Sequence, residues 1–220
     1  MTGPSEKTPD THRSHELQLP QVYPITDVRL SGLSHSEQVL RLVEGGATLV
    51  QLRDKELSAV EFYRQAEEAL RVARARNVKI IINDRVDIAL ALAADGVHLG
   101  LDDLPPEAAR RLLGSEVVIG FSTHNLAQAL SATRLPVDYL AIGPIFTTRS
   151  KANADPAIGL EGLRAIRTAV GATPLVAIGG ITAANAGDVL ATGADAVAVI
   201  SELYVGDDVS TRLKQLHNSI

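Results

Sequence analysis

Short apolar segments rich in β-branched residues recur eight times along the chain, and a helical pattern follows almost every one. The clearest of them, KIIIN at 79–83 and AVAVI at 196–200, are continuously apolar, which is typical of parallel strands buried on both faces. Eight strand–helix pairs without a long linker predict an α/β fold, a single (β/α)8 TIM barrel. The predicted strands cover 22–26, 48–53, 79–83, 96–100, 117–122, 139–144, 174–178 and 196–200.

The segments between the predicted strands carry helix start signals. Ser58 is followed three residues later by Glu61, which is the spacing of a capping box. Asn125 and Asn185 stand where further helices are predicted to begin. A doubly wound open sheet is the alternative fold, but no Gly-x-Gly-x-x-Gly motif follows the first predicted strand. The barrel is therefore favoured.

Composition narrows the class of protein. The chain has 220 residues, 45% of them hydrophobic, so it can bury a large core. Its formal charge of −5 and scattered basic residues argue against a nucleic-acid surface or a basic membrane patch. The absence of cysteine excludes disulfides and thiolate sites, and no segment reads as a signal peptide or membrane span. We expect a cytoplasmic protein with a disordered polar tail at 1–18 and a barrel domain at 19–220.

Two successive predicted strands each end near a carboxylate. Asn83 and Asp84 follow the third strand, and Asp103 lies just after the fourth. The carboxyl ends of barrel strands form the reactive face, so these carboxylates can converge where a hard cation would relieve their repulsion. Oxygen ligands from few side chains favour Mg²⁺. Taken singly, each aspartate is more often a helix cap or a partner of Arg85, and it is the pairing that favours a metal site.

Polar and cationic residues end the second predicted strand. Gln51, Arg53 and Lys55 alternate along the chain, so they share one side of the strand while it stays extended. Arginine offers a fork suited to phosphate oxygens, and lysine adds a mobile positive charge. Surface ion pairs with Asp54 and Glu56 are the alternative interpretation. The neighbouring third strand with its carboxylate favours an anion site.

The segment 143–162 is the longest irregular stretch in the body of the chain. Loops of this kind are often lids over active sites. Lys151 could reach a phosphate from above, while Thr148 and Ser150 offer hydroxyl groups. A flexible surface loop is the alternative.

Small residues follow the last two predicted strands. Gly179 and Gly180 come after the seventh strand, and Ser201 comes after the eighth. These positions form the usual phosphate-binding corner of such barrels. We therefore expect phosphate binding there, without an indication of the reaction.

Two other motifs are discounted. Ser122 and His124 lie close together in GFSTHN, but the motif lacks the second glycine of a nucleophile elbow, so Ser122 is expected to act as a hydroxyl donor. His98 lies within a strand and is expected to be a hydrogen-bonded interior histidine. No histidine–carboxylate spacing suggests zinc. A site with cations and hydroxyls but few general bases suits departure of a phosphate-type leaving group.

Seven ordered segments resemble the thiamine-phosphate synthase (thiamine-phosphate pyrophosphorylase) family, and together they span nearly everything after the polar tail. They are YPITD, VQLRDK, INDRVDIALALAADGVHLG, IGFSTHN, AIGPIFTTRSKANADPAIGLEGL, VAIGGI and AVAVIS. The resemblance implies a (β/α)8 barrel that forms a homo-oligomer, often a trimer, and acts on small molecules without nucleic-acid or membrane partners.

The resemblance also implies a reaction and a set of site residues. The family joins 4-amino-2-methyl-5-hydroxymethylpyrimidine diphosphate to a thiazole phosphate, which carries an extra carboxylate in some organisms, and releases pyrophosphate through Mg²⁺-assisted dissociation. By motif position the metal ligands are Asp84 and Asp103, and Gln51 binds the pyrimidine. The diphosphate contacts are Arg53, Lys55, Asn83, Ser122 and Lys151, of which Arg53, Lys55, Ser122 and Lys151 are expected to be catalytic. The thiazole-phosphate site comprises Thr148, Ser150, Gly180, Ile200 and Ser201.

The chain departs from the family pattern near the metal position and in the loop. The common Gly-Gln-x-Asp reads Gly100-Leu101-Asp102-Asp103 here, which leaves Asp102 as an alternative ligand. The loop's usual Pro-Thr-x-Thr-Lys reads Thr-Thr-Arg-Ser-Lys at 147–151. The alternative functions are a thiazole tautomerase-like isomerase, a non-catalytic thiamine-phosphate-binding regulator and another phosphate-handling barrel enzyme. Retention of the diphosphate-binding cations argues against the isomerase.

Overall fold

The computed structural model describes residues 18–147, 155–206 and 208–220. Three expected site residues, Thr148, Ser150 and Lys151, lie outside the described residues, as does nearly all of the predicted tail. Among the residues described, no helix is both long enough and apolar enough to span a bilayer.

Eight parallel strands form one sheet in the order β1-β8-β7-β6-β5-β4-β3-β2. They are β1 Val22–Pro24, β2 Leu49–Leu52, β3 Lys79–Asn83, β4 Gly96–Leu99, β5 Val118–Thr123, β6 Tyr139–Ile142, β7 Leu175–Ile178 and β8 Ala196–Val199. The first and last strands of this order meet, because Ile25 forms a parallel bridge with Gln51 and Thr26 N donates to Gln51 O at 2.9 Å. The predicted barrel is confirmed.

Each predicted strand overlaps an observed one. The largest differences are at 22–26 and 139–144, where the regular strand ends two residues earlier than predicted. After β1 the chain continues as the bridge that closes the ring, and after β6 it bends at Ile145 and Phe146.

Helices follow the strands and cover the outside of the barrel. They are α1 Val28–Ser31, α2 His35–Glu44, α3 Ala59–Arg74, α4 Val86–Ala91, α5 Pro106–Leu113, α6 Leu126–Ala132, α7 Gly159–Val170, α8 Ala186–Leu190 and α9 Val209–Asn218, with a 3₁₀ helix at Ser201–Tyr204. Ser58 and Glu61 form the predicted capping box of α3, and Asn125 caps α6 through Gln128 N. Asn185 lies at the start of α8 but makes no side-chain cap bond to it.

The apolar residues separate into two packed groups because successive strand residues face opposite sides. Residues such as Val50, Ile82 and Val97 belong to the large cluster between the sheet and the helices. Tyr23, Ile81 and others belong to a smaller cluster, whose alternate strand positions face the barrel interior. The smaller cluster comprises Tyr23, Ile25, Leu49, Ile81, Tyr139, Ala141, Val176, Ala196 and Ala198. On β2 and β3, the next inward-facing position after a residue of this cluster is a predicted site residue, Gln51 after Leu49 and Asn83 after Ile81.

One buried histidine outside the barrel interior ties α2 to the loop after β2. His35 Nδ1 lies 2.8 Å from Thr26 Oγ1, and its Nε2, which has no hydrogen-bond partner among the described residues, lies 3.7 Å from Asp54 Oδ2. Burial lowers the pKa of His35 to about 4, although the nearby carboxylates of Asp54 and Asp27 act in the opposite direction. The imidazole is therefore neutral in the folded protein near neutral pH.

This histidine predicts a loss of stability on acidification. Between its ordinary pKa and about 4, the unfolded chain binds a proton that the folded chain does not, so the free energy of unfolding falls as pH falls. His35 should account for about 3 kcal/mol of that fall between about pH 7 and about pH 4. Urea unfolding of the wild type and His35→Gln at several pH values measures it. Equal pH slopes for the two proteins would contradict the prediction.

Candidate active site

The ends of β2, β3 and β4 bring the predicted cations and carboxylates together, because these strands are neighbours in the sheet. Asp84 follows β3 directly, and its backbone N donates to His98 O at 2.8 Å. Its φ of 61° lies in the left-handed region, which aspartate tolerates better than most residues. The Asp84 carboxylate forms an ion pair with Lys55 Nζ. The anion after β3 and a cation after β2 thus meet at the barrel mouth.

The second carboxylate, that of Asp103, is held against the first. Asp103 Oδ2 accepts a hydrogen bond from Gly100 N at 2.7 Å. Burial raises the pKa of Asp103, and the adjacent Asp84 carboxyl raises it further, against the opposing effects of the Gly100 bond and Lys55. Asp102 is exposed, so of the two neighbouring aspartates it is Asp103 that faces Asp84.

This pair of carboxylates fits a magnesium ion. The neighbouring Asp84 carboxyl adds to the larger effect of burial in raising the pKa of Asp103, and a divalent cation would remove the repulsion between the two carboxylates. The described residues contain no group of three or more His, Cys, Asp or Glu side chains arranged to hold a metal. Two carboxylates with water and phosphate oxygens completing the shell are the coordination that Mg²⁺ commonly takes.

Arg53 follows β2 and has an acidic partner of its own. Its Nη1 is 3.6 Å from Asp27 Oδ2, and its backbone N donates to Thr26 Oγ1 at 3.3 Å. Asp27 also caps α1 by accepting from Leu30 N at 2.9 Å. The guanidinium is therefore aimed by an acidic residue after β1, which we did not identify from the sequence.

Three further predicted site residues occupy strand positions that face the barrel interior. Gln51, Asn83 and Ser122 lie on β2, β3 and β5. Gln51 is buried, and its Nε2 donates to Tyr23 Oη at 3.2 Å. Ser122 Oγ lies 2.8 Å from His98 Nε2. The positions expected to bind the pyrimidine and the diphosphate thus line the upper barrel interior.

His98 is the interior histidine that the sequence predicted. Its Nδ1 lies 2.9 Å from Tyr139 Oη, and its Nε2 is bonded to Ser122. Burial lowers the pKa of His98 to about 4, against a smaller opposing effect of Asp103. Both ring nitrogens have partners, and the ring is neutral near neutral pH.

Ser122 and His124 take different partners, which agrees with the decision to discount a hydrolase. His124 Nδ1 donates to Gly143 O at 2.7 Å and lies 3.5 Å from Asp155 Oδ2. Ser122 is bonded to His98 instead. His124 therefore anchors the base of the loop after β6 and does not activate the serine.

The residues expected to form a phosphate corner lie after β7 and β8. Gly180 has a φ of 64°, and a Cβ there would lie 2.8 Å from both Phe146 Cβ and Thr147 O, so this position accepts only glycine. Asn185 Nδ2 donates to Gly180 O at 3.1 Å and holds the turn. Ile200 and Ser201 follow β8, and Ser201 begins the 3₁₀ helix. The corner lies on the same carboxyl-end face as the carboxylate pair.

Comparison with known proteins identifies the family. Residues 22–203 match the family model described as thiamine monophosphate synthase. The chain belongs to the thiamine monophosphate synthase family. It is similar to the thiamine-phosphate synthase of Chloroflexus aurantiacus, with 49% identity over 197 residues that cover 89% of this chain and 90% of that one. The thiamine-phosphate synthase of Clostridium novyi is 46% identical over 199 residues, covering 90% and 97%.

A solved structure of the thiamine monophosphate synthase family agrees with the fold. Thiamine phosphate pyrophosphorylase from Pyrococcus furiosus superimposes with a TM-score of 0.81 and 40% sequence identity, covering 90% of this chain and 94% of that one. The identity and coverage of these relatives make the chain an enzyme of the same family. The family resemblance predicted from the sequence motifs is confirmed.

Proposed function

We propose that this enzyme of the thiamine monophosphate synthase family transfers the pyrimidinylmethyl group of 4-amino-2-methyl-5-hydroxymethylpyrimidine diphosphate to thiazole phosphate or its carboxylated form. The products are thiamine phosphate and pyrophosphate, and the carboxylated thiazole would in addition lose its carboxylate as carbon dioxide. The observation that carries the proposal is the meeting of Lys55, Asp84 and Asp103 at the ends of three neighbouring strands. Arg53, which is paired with Asp27, adds a second cation after β2. Such a site binds a diphosphate together with its counter-ion.

The chemistry requires stabilisation of a leaving group more than it requires a base. The bond between the methylene carbon and the diphosphate oxygen breaks, and its electron pair leaves with the diphosphate. The neutral thiazole nitrogen then forms the new bond to that carbon, so no proton needs to be removed by the protein. Arg53 and Lys55 stabilise the charge that develops on the leaving oxygen, and Lys151 is proposed to assist from the loop.

The proposed cofactor is Mg²⁺, held by Asp84 and Asp103. When bound, it would supply a Lewis acid that neutralises the diphosphate charge. Lys55 pairs with Asp84, one of the two residues that would hold the metal, which supports a role for its amino group toward a diphosphate oxygen. Its proposed role is to donate to that oxygen.

The two substrates would occupy opposite sides of the barrel mouth. On one side Gln51, Asn83 and Ser122 are proposed to contact the pyrimidine diphosphate. On the other side the thiazole phosphate would lie in the corner after β7 and β8, at Gly180, Ile200 and Ser201. Thr148 and Ser150 of the loop after β6 are proposed as further contacts. A homo-oligomeric state is proposed on the family resemblance alone, and a cytoplasmic location stays the expectation drawn from the sequence composition.

The test is a substrate-omission experiment on the purified protein. The complete mixture should give thiamine phosphate, whereas omission of either substrate, or replacement of the pyrimidine diphosphate by its monophosphate, should abolish the product. Isomerisation of a thiazole carboxylate phosphate without the pyrimidine would instead support the tautomerase-like function. Tight binding of thiamine phosphate without turnover would support a regulator. Either of these two results would contradict the proposed synthase.

A further inference from the structure

A line of buried hydrogen bonds crosses the barrel interior and joins two of the proposed substrate contacts. Gln51 Nε2 donates to Tyr23 Oη at 3.2 Å, and Tyr23 Oη lies 3.1 Å from Tyr139 Oη. Tyr139 Oη lies 2.9 Å from His98 Nδ1, and His98 Nε2 lies 2.8 Å from Ser122 Oγ. We call these five residues the interior chain. It connects the proposed pyrimidine contact on β2 with the proposed diphosphate contact on β5.

The barrel is shaped to admit the middle of the interior chain. Tyr139 stacks on His98 with ring centroids 5.5 Å apart and an interplanar angle of 27°. Gly120 lies opposite His98 in the β4–β5 register, and a Cβ at Gly120 would overlap the Tyr139 ring and lie 2.5 Å from His98 Nδ1. Both tyrosines are almost fully buried. Glycine at position 120 therefore leaves the space in which the Tyr139 and His98 rings stack.

The number of protons available along the interior chain determines which group donates each hydrogen bond. The Gln51 amide donates to Tyr23, so the Tyr23 proton must go to Tyr139, its other hydrogen-bond partner among the described residues. The Tyr139 proton then goes to His98 Nδ1. Reversing either hydroxyl alone would leave a buried proton without an acceptor, which folded proteins avoid.

The His98 imidazole extends the same order of donors and acceptors to Ser122. With Nδ1 accepting from Tyr139, the single proton of the neutral ring lies on Nε2 and is donated to Ser122 Oγ. The hydroxyl proton of Ser122 is then free to be donated to a group in the pocket. An anionic phosphate oxygen is the acceptor that such a donor suits best.

We propose that Tyr139 is a positioning residue that fixes His98 as its Nε2–H tautomer and thereby makes Ser122 a hydrogen-bond donor to an anionic substrate oxygen. This inference rests on the proposed function for the identity of that oxygen. The tautomer and the direction of the interior chain are inferred from its hydrogen bonds and do not depend on the identity of the substrate. The opposite direction requires the Gln51 amide to present its carbonyl to Tyr23, and Ser122 would then offer only lone pairs to an anion.

The direction is tested by the protonation of the His98 ring in the substrate-free protein. Long-range ¹⁵N–¹H correlation of histidine-labelled protein distinguishes protonated from unprotonated ring nitrogens, and His98→Gln assigns the His98 signals among the six histidines. The expected result at neutral pH is a protonated Nε2 and an unprotonated Nδ1. A protonated Nδ1, or a mixture of the two tautomers, would overturn the proposal whether or not the enzyme is active.

The positioning role is tested by a double-mutant cycle. Tyr139→Phe should lower kcat by about tenfold, the size expected for one misdirected hydrogen bond, and leave the KM for thiazole phosphate unchanged. In a Ser122→Ala background the same substitution should have no further effect. Tyr63→Phe, which removes an exposed tyrosine hydroxyl, is the matched control and should behave as wild type.

Two outcomes of the cycle count against the positioning role. A tenfold loss from Tyr139→Phe in both backgrounds would mean that Tyr139 acts on the fold and not through Ser122. No loss in either background would mean that the interior chain does not serve the reaction. If the wild type makes no thiamine phosphate, the proposed function fails, and the tautomer measurement still decides the direction of the interior chain.

Discussion

Asp84→Asn is expected to lower kcat by about a hundredfold, the usual size of a lost electrostatic contribution at a reacting centre. The substitution removes the charge that pairs with Lys55 and that is proposed to hold Mg²⁺ with Asp103. Asparagine is preferred to alanine here because it tolerates the left-handed φ of 61° at this position. The measurement is steady-state turnover at saturating substrates and Mg²⁺, with thermal unfolding to confirm that the variant is folded.

The matched control for this variant is Asp102→Asn. It removes the same charge from the exposed residue next to Asp103 and should leave kcat within about twofold of the wild type, as exposed substitutions away from a site usually do. Near-normal turnover of Asp84→Asn would contradict the metal assignment. An equal loss in both variants would mean that total charge at the barrel mouth matters more than the position of Asp84.

Arg53→Ala should have an effect of similar size, about a hundredfold in kcat/KM. The guanidinium is only partly exposed and lies 3.6 Å from Asp27, so it is aimed before substrate binds. Its removal takes away a fork of donors for the leaving diphosphate. Arg53→Lys keeps the charge but loses the fork and should recover part of the loss. Kinetics with the pyrimidine diphosphate as the varied substrate measures both variants.

Arg29→Ala serves as the control for Arg53→Ala. Arg29 is an exposed arginine that pairs with Glu56 at 3.5 Å, and exposed ion pairs contribute little. The variant should keep wild-type kcat/KM. If Arg53→Ala were as active as Arg29→Ala, the proposed diphosphate contact at Arg53 would be wrong.

Much of the fold and part of the candidate site could be predicted from the sequence because both follow from local patterns. The run KIIIN predicts a doubly buried strand, and the structure has β3 at Lys79–Asn83. Asp84 comes directly after that strand, so its place at the barrel mouth follows from the fold alone. The meeting of Asp84 with Lys55 and with Asp103 then follows from the neighbouring order of β2, β3 and β4.

The partners of these residues could not be predicted in the same way. Tyr23 and Tyr139 are 116 residues apart, and nothing local indicates that their hydroxyls meet across the barrel. Asp27 could be read as an ordinary helix cap, which it also is, so its contact with Arg53 was missed. Such contacts depend on strand stagger and side-chain direction in the closed ring, and the residue pattern of one strand does not contain them.

The most direct measurement of the central claim follows thiamine phosphate and pyrophosphate together in one reaction, with Mg²⁺ and with the metal removed by chelation. The aspartate pair and the cations after β2 predict that the two products appear in equal amounts and that both depend on Mg²⁺. Pyrophosphate released without thiamine phosphate, or turnover that is unchanged by metal removal, would contradict the claim that this cluster drives diphosphate departure for the coupling reaction.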